Sequence, residues 1–362
     1  MLAPTAAEAA PATAPAAAKA AAAAPARVLF RIADPRIAEA SGIATGLASP
    51  GVVYVHNDSG DTNRFFALDP RTGATVATVR VTGATNVDWE DIAVARDARG
   101  TPSVWLADIG DNDAVRDEVR VYRVDEPKLR ASARGLTIRS ERADVWRLRY
   151  PGGPVNAEAL AVSPSGVGYI VTKSYAGDAT VYRLPPHADP ARVQVLHRIA
   201  SVRFGPTRTR NPFGAAGGLP VTAAAISRDG SLFTARSYSD AHVWRMKHAN
   251  VAEALKGKAT VIALPDQELG EGIDFDGRRL LVDSEGIHSA VYAVPLGQRA
   301  PTSAPPPRVP ASPTDPSKSG GLSGNGRTLG LLLAVALVGV AVVGFAVRWP
   351  SRRGSSGRRR SG

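Results

Sequence analysis

A chain of 362 residues with 44 Lys and Arg against 33 Asp and Glu carries a formal charge of +11, a balance that at first points to a polyanionic partner. Six arginines lie in the last fifteen residues (Arg348, Arg352, Arg353, Arg358, Arg359, Arg360), and residues 299–347 add a further surplus, so residues 27–298 keep only about +2, an ordinary globular surface that gives no footing for nucleic-acid binding. The absence of cysteine excludes disulfides, thiolate metal sites and a cysteine nucleophile.

Residues 1–26 hold sixteen alanines with Pro4, Pro11, Pro15 and Pro25, too few bulky side chains for a core and too many prolines for a helix. Disorder is expected there, and the start Met1-Leu-Ala-Pro-Thr-Ala-Ala-Glu reads as the remnant of a signal peptide whose earlier part lies upstream.

Residues 27–298 are short β-branched and aromatic runs separated by Gly, Pro, Asp and Asn, with a weak helical pattern at Asn250–Leu255 alone. Three kinds of run recur in one order. The first (a) begins at a small or acidic residue: Glu39-Ala-Ser-Gly-Ile43, Asp88-Trp-Glu90-Asp-Ile92, Asn156-Ala-Glu158-Ala-Leu160, Val221-Thr-Ala-Ala-Ala-Ile226 and Gly270-Glu271-Gly-Ile273. The second (b) is represented by Val52-Val-Tyr-Val55, Val104-Trp-Leu-Ala107, Tyr169-Ile-Val-Thr172, Leu232-Phe-Thr-Ala235 and Leu280-Leu-Val-Asp283. The third (c) reads Phe65-Phe-Ala-Leu68, Val121-Tyr-Arg-Val124, Val181-Tyr-Arg-Leu184, Val243-Trp-Arg-Met246 and Val291-Tyr-Ala-Val294. Five repeats of a-b-c predict an all-β β-propeller of five blades, with six as the alternative. Fourth strands fit at Ala74–Val81, Ala143–Arg149, Val193–Ile199 and Thr260–Leu264; the fifth unit has none, so the unassigned strand Arg27–Ile32 is expected to supply it and close the ring. From the end of one c run to the apolar residue of the next a run the chain takes 24 residues (Leu68 to Ile92) and 27 (Met246 to Ile273), but 36 (Val124 to Leu160) and 42 (Leu184 to Ile226). The two excesses suffice for a loop or hairpin, not for a sixth blade.

Residues 299–328 carry seven prolines between Pro301 and Pro316 and then a Ser/Gly run, the composition of a linker. Leu329–Val347 is nineteen residues without a charge, followed by Arg348-Trp349, and is expected to span a membrane as one helix. The basic tail 348–362 places that end in the cytoplasm and the propeller outside the cell membrane.

Four phrases, Ala40-Ser-Gly-Ile43-Ala, Val55-His-Asn-Asp-Ser-Gly60, Asn86-Val-Asp-Trp-Glu-Asp-Ile92-Ala and Asp108-Ile-Gly-Asp-Asn112, together resemble exported, membrane-anchored bacterial β-propellers of unknown function found in high-GC Gram-positive bacteria. More distantly they are similar to the SdiA-regulated and phytase-like propellers. The resemblance spans roughly residues 35–297 and implies fold and location, with no agreed activity.

In an antiparallel hairpin the start of a and the end of b share one end, so these segments from all blades should line one mouth of the channel. That mouth collects Glu39, Glu90, Glu158 and Glu271 from the a runs and His56, Asn57, Asp58, Asp108, Asp111, Lys173, Arg236, Asp283 and Glu285 from the b–c loops. Glu90, Asp108, Glu158 and Glu271 are the candidate metal ligands, hard oxygens suited to Ca²⁺, and Asn57, Asp58, Asp111, Arg236 and Asp283 are candidate binding residues. The alternative is that these acids cap turns or pair with Lys173 and Arg236. No nucleophile elbow or His-Glu-x-x-His occurs; His56 and His242, both placed in b–c loops, are the histidines open to a general-base role, His56 the weak candidate. The expected function is a cell-surface, membrane-anchored binding or scaffold module for an extracellular protein or envelope polymer. The alternative is a metal-dependent hydrolase of the ester, lactone or phosphomonoester class.

Overall fold

The computed structural model describes residues 25–297, which form a closed ring of five sheets, each built on four antiparallel strands. The expected segment 1–26 lies almost wholly outside the described residues, and the linker 299–328, the span 329–347 and the basic tail lie entirely outside them. Among the described residues no helix is long and apolar enough to cross a membrane.

Strand β1 (Arg27–Arg31) is the first of the described residues' strands. Blade 1 is β2 (Ala40–Thr45), β3 (Val53–Asn57), β4 (Arg64–Leu68) and β5 (Thr75–Thr82). Blade 2 is β6 (Trp89–Arg96), β7 (Pro102–Asp108), β8 (Val119–Asp125) and β10 (Asp144–Arg149), with β9 (Leu136–Arg142) intervening in the chain. Blade 3 is β11 (Ala157–Val162), β12 (Gly168–Thr172), β13 (Asp178–Arg183) and β15 (His197–Arg203), with β14 (Asp189–Val195) intervening. Blade 4 is β16 (Val221–Ile226), β17 (Leu232–Ser237), β18 (Asp240–Arg245) and β19 (Thr260–Ala263), the last two joined through the single turn α1 (Val251–Ala254). Blade 5 is β20 (Gly270–Asp276), β21 (Arg279–Ser284) and β22 (Ala290–Pro295), and its fourth strand is β1, antiparallel to β22 with Arg27 opposite Ala293 and Arg31 opposite Ala290. The N-terminal strand therefore closes the ring.

The two long c-to-a connections hold extra strands rather than loops or hairpins. β9 pairs parallel with β5, and β14 pairs parallel with β10, so each crosses back onto the outer edge of the preceding blade. The expected fourth strand Val193–Ile199 is divided between β14 and β15. His56 and His242, both expected in loops, lie within β3 and β18.

Inner strands meet around the axis, where room is scarce, and their sequences are accordingly small: Ala-Ser-Gly-Ile-Ala-Thr in β2 and Val-Thr-Ala-Ala-Ala-Ile in β16. In the outer strands successive side chains serve opposite blade interfaces. Phe65 and Ala67 pack toward blade 2 among Trp89, Leu106 and Tyr122, while Phe66 and Leu68 pack toward blade 5 among Phe30, Leu281 and Val291. The buried apolar residues separate into one cluster at each of the five interfaces, the packing signature of a closed ring.

Every inner strand is bulged near its start. The register against the neighbouring strand shifts between Ala40 and Gly42, Trp89 and Asp91, Ala157 and Ala159, Val221 and Ala223, and Gly270 and Ile273. A bulge inserts one residue and re-aims a side chain. The five equivalent positions are thus Ser41, Glu90, Glu158, Thr222 and Glu271. Blade 1 contributes Ser41 there, while Glu39, the acid expected from that blade, is exposed.

Candidate metal centre at the channel mouth

Two of the five bulge positions close the ring with hydroxyls. Ser41 Oγ donates to the Glu90 carbonyl at 2.7 Å, and Thr222 Oγ1 donates to the Glu271 carbonyl at 2.9 Å. The other three place carboxylates at the mouth, and their surroundings differ.

Glu90 is buried and joins Asp58, from the β3–β4 loop, and Asp88, just before β6: one oxygen from each lies within 4.8 Å of the others. Asn86 fixes the approach by donating from Nδ2 to the Asp58 carbonyl at 2.8 Å while its Oδ1 accepts the Trp89 N–H at 3.2 Å. Asp108 stands behind them. Its Oδ1 accepts the Asp88 N–H at 3.1 Å and an Arg116 Nη2–H at 2.8 Å, and its buried Oδ2 has no partner. Gly110 backs the group so closely that a Cβ there would sit 2.0 Å from Glu90 Oε1 and 2.4 Å from Asp88 Oδ2. No salt bridge reaches Asp58, Asp88 or Glu90 among the described residues. Burial, then the charge of Asp88, pushes Asp58 up to about 8. Asp88 is raised by burial and by the Glu158 and Asp108 charges, and Glu90 is driven well above the carboxylate range by burial and by Glu158.

Glu158 has an internal counterion. Lys173 Nζ lies 2.9 Å from its Oε1, with both side chains almost wholly buried, and sits over the ring of Tyr238. Burial alone would lower Lys173, but the Glu158 and Glu271 charges outweigh it and hold the ammonium above its usual value. Glu271 keeps a buried, unpartnered Oε2 and is raised strongly by burial.

The remaining expected residues are engaged in the scaffold. Asn57 accepts the Glu39 N–H and donates to the Arg36 carbonyl and Asp61, holding its loop. Asp111 accepts the Val115 and Arg116 N–H groups, capping the β7–β8 loop. Arg236 is fully buried and donates to the carbonyls of Ser237, Gly272 and Asp283 and to Gln267 Oε1. Asp283 accepts the Gly272 N–H at 2.7 Å beneath the mouth. His56 is enclosed beside Trp89, its Nδ1 2.8 Å from the Asn57 carbonyl, and burial lowers it to about 4, so it is neutral at physiological pH. Asp88 is the member that sequence reasoning left out, although it stands two residues before Glu90 in the same recurring run.

No protein-family model matches the chain and no curated protein sequence matches it, so the resemblance to exported propellers rests on its four phrases alone. Among solved structures the chain is similar to the PQQ-bound form of aldose sugar dehydrogenase from Streptomyces coelicolor, with 11% identity, a TM-score of 0.42, and coverage of 75% of this chain and 97% of that one. So distant a likeness carries no ligand or activity across.

Proposed function

We propose that this protein is a β-propeller that binds one divalent cation, Ca²⁺, through Asp58, Asp88 and Glu90, and works as a binding module outside the cell membrane. The observation that carries the reading is the gathering of three carboxylates that no salt bridge reaches among the described residues, next to an equivalent carboxylate, Glu158, that has one. The size fits: oxygens bound to Ca²⁺ at about 2.3–2.6 Å can lie up to roughly 5 Å apart, and these three carboxylates meet that limit. They supply three to six of the six to eight oxygens the ion takes, leaving positions for water or for oxygens of a bound partner. Buried, mutually repelling carboxylates otherwise retain protons, so the cation is what lets them ionise together.

The described chain also runs out at the far end of the ring. The Leu296 N–H bonds the Arg278 carbonyl in the β20–β21 turn, opposite the mouth. The partner that the acidic mouth would take is an extracellular protein or envelope polymer. The hydrolase alternative needs a base beside the metal, and enclosed His56 is poorly placed for it. Calcium titration of the full chain by calorimetry tests the proposal. One site is expected, weakened at least tenfold by Asp88→Asn and by Gly110→Ala, whose added methyl would press on Glu90 and Asp88. No calcium heat in the metal-stripped protein would refute it.

A further inference from the structure

At the end of the channel opposite the carboxylates, the last residues of the inner strands form a cup of about 470 Å³, counting its open side. Val94, Val162 and Ile226 give it an apolar wall from blades 2, 3 and 4. Its polar side comes from blades 5, 1 and 4. Asp274 Oδ2 accepts the Thr45 N–H at 2.7 Å and the Thr45 hydroxyl at 2.8 Å. Arg228 Nη2 donates to that same hydroxyl at 3.2 Å and to the Gly46 carbonyl at 2.5 Å, while its Nε and Nη1 bond to nothing among the described residues. A carboxylate and a guanidinium are thus held one hydroxyl apart without forming an ion pair, beside an apolar wall.

We propose that this cup is a second ligand site, for a small aliphatic zwitterion, an α-amino acid with a hydrocarbon side chain. The ligand ammonium would meet Asp274, its carboxylate would take the spare N–H groups of Arg228, and its side chain would cover Val94, Val162 and Ile226. Pairing both charges suits a ligand that carries both signs on adjacent groups, whereas an ammonium or a carboxylate alone would leave one protein charge facing its own sign or nothing. Concave apolar walls with a few converging polar groups are the usual form of a small-ligand site. The site is independent of the calcium reading, since it shares no residue with the mouth.

Saturation-transfer NMR and calorimetry on the full chain, with L-leucine as probe, test this. L-leucine is expected to bind, and 4-methylpentanoate and isopentylamine, which each lack one charged group, to bind at least tenfold more weakly, about 1.4 kcal/mol. Asp274→Asn retains an acceptor for Thr45 and Arg228→Gln removes a charge at an exposed position, so both variants should fold, as an unchanged melting temperature would show. Each should weaken leucine at least tenfold and leave calcium binding at the mouth unaltered. No leucine binding near its solubility limit would overturn the proposal, as would 4-methylpentanoate binding as tightly as leucine or leucine binding unaffected by Asp274→Asn.

Discussion

Lys173 Nζ, from the loop after β12, and Glu158 Oε1, from β11, are 2.9 Å apart, and their side chains are only 6% and 5% exposed. This ion pair divides the mouth into a neutralised side and, at Asp58, Asp88 and Glu90, a side that no salt bridge reaches among the described residues. Removing one partner of a buried pair leaves an uncompensated charge and costs about 3–5 kcal/mol. Lys173→Met should therefore destabilise the protein by that order in urea unfolding, and adding Glu158→Gln to it should recover much of the loss. Additive losses in the double variant would show that the two groups act independently.

Asp91 joins three blades on the axis. Its Oδ1 accepts the Ile92 N–H at 2.8 Å, and its Oδ2 accepts the N–H groups of Leu160 at 2.8 Å and Ala224 at 3.3 Å. Each buried donor left unsatisfied costs about 1–3 kcal/mol. Asp91→Ala should lose at least about 3 kcal/mol by the same assay, and Asp91→Asn, which keeps an acceptor, distinctly less. Equal, small losses would mean that the axis is held elsewhere.

Ring closure through β1 makes the N-terminal strand essential. Phe30 and Ile32 are buried at the blade 5–blade 1 interface, so Phe30→Ala should cost about 3–5 kcal/mol. Deleting Arg27–Ala33 bares the β22 edge and should produce aggregation in size-exclusion chromatography, whereas deletion of residues 1–24 removes nothing from β1 and should leave the elution profile unchanged. Indifference to both deletions would contradict closure by this strand.

Two sets of carboxylates set the pH response. Asp34, Asp69, Glu118 and Asp229 are held down to about 2, chiefly by hydrogen bonds, from Arg36, Arg71, Arg147 and Ser227 respectively, so their stabilisation is present above the unfolded value near 4 and is lost as pH falls toward 2. Asp274 and Asp283 are raised to about 6 and Glu285 to about 7 by burial. Above about pH 4 the unfolded chain binds fewer protons than the folded one at these three sites, so their contribution is lost as pH rises through 6 and 7. Burial holds His56 and His242 at about 4 against an unfolded value near 6.5, which costs stability below that value, so metal-free protein should be more stable at pH 6 than at pH 8 in thermal scans. A maximum at pH 8 would contradict these environments.

The five-fold repeat was legible because three apolar runs recur in fixed order, and the closing role of Arg27–Ile32 followed from its lack of a blade. β9 and β14 were not legible, because most of their residues are exposed and neither carries an alternating apolar pattern. The period picked out Glu90, Glu158 and Glu271 as equivalent but could not show the bulges, since a one-residue register shift leaves no mark on composition. It therefore offered Glu39 where blade 1 uses Ser41, and it passed over Asp88. Nor does a repeat reveal which acid owns a counterion: Lys173 approaches from an adjacent strand end, and that contact separates Glu158 from Glu90.

Whether Asp58, Asp88 and Glu90 hold a cation is decided by the melting temperature of the full chain with chelator and then with excess Ca²⁺. A site that binds only the folded state at a hundredfold excess over its dissociation constant adds about 2.7 kcal/mol. Chelator should lower the melting temperature by several degrees, Ca²⁺ should restore it, and the Glu90→Gln protein should respond to neither. A melting temperature unmoved by chelator and by Ca²⁺ would contradict the account.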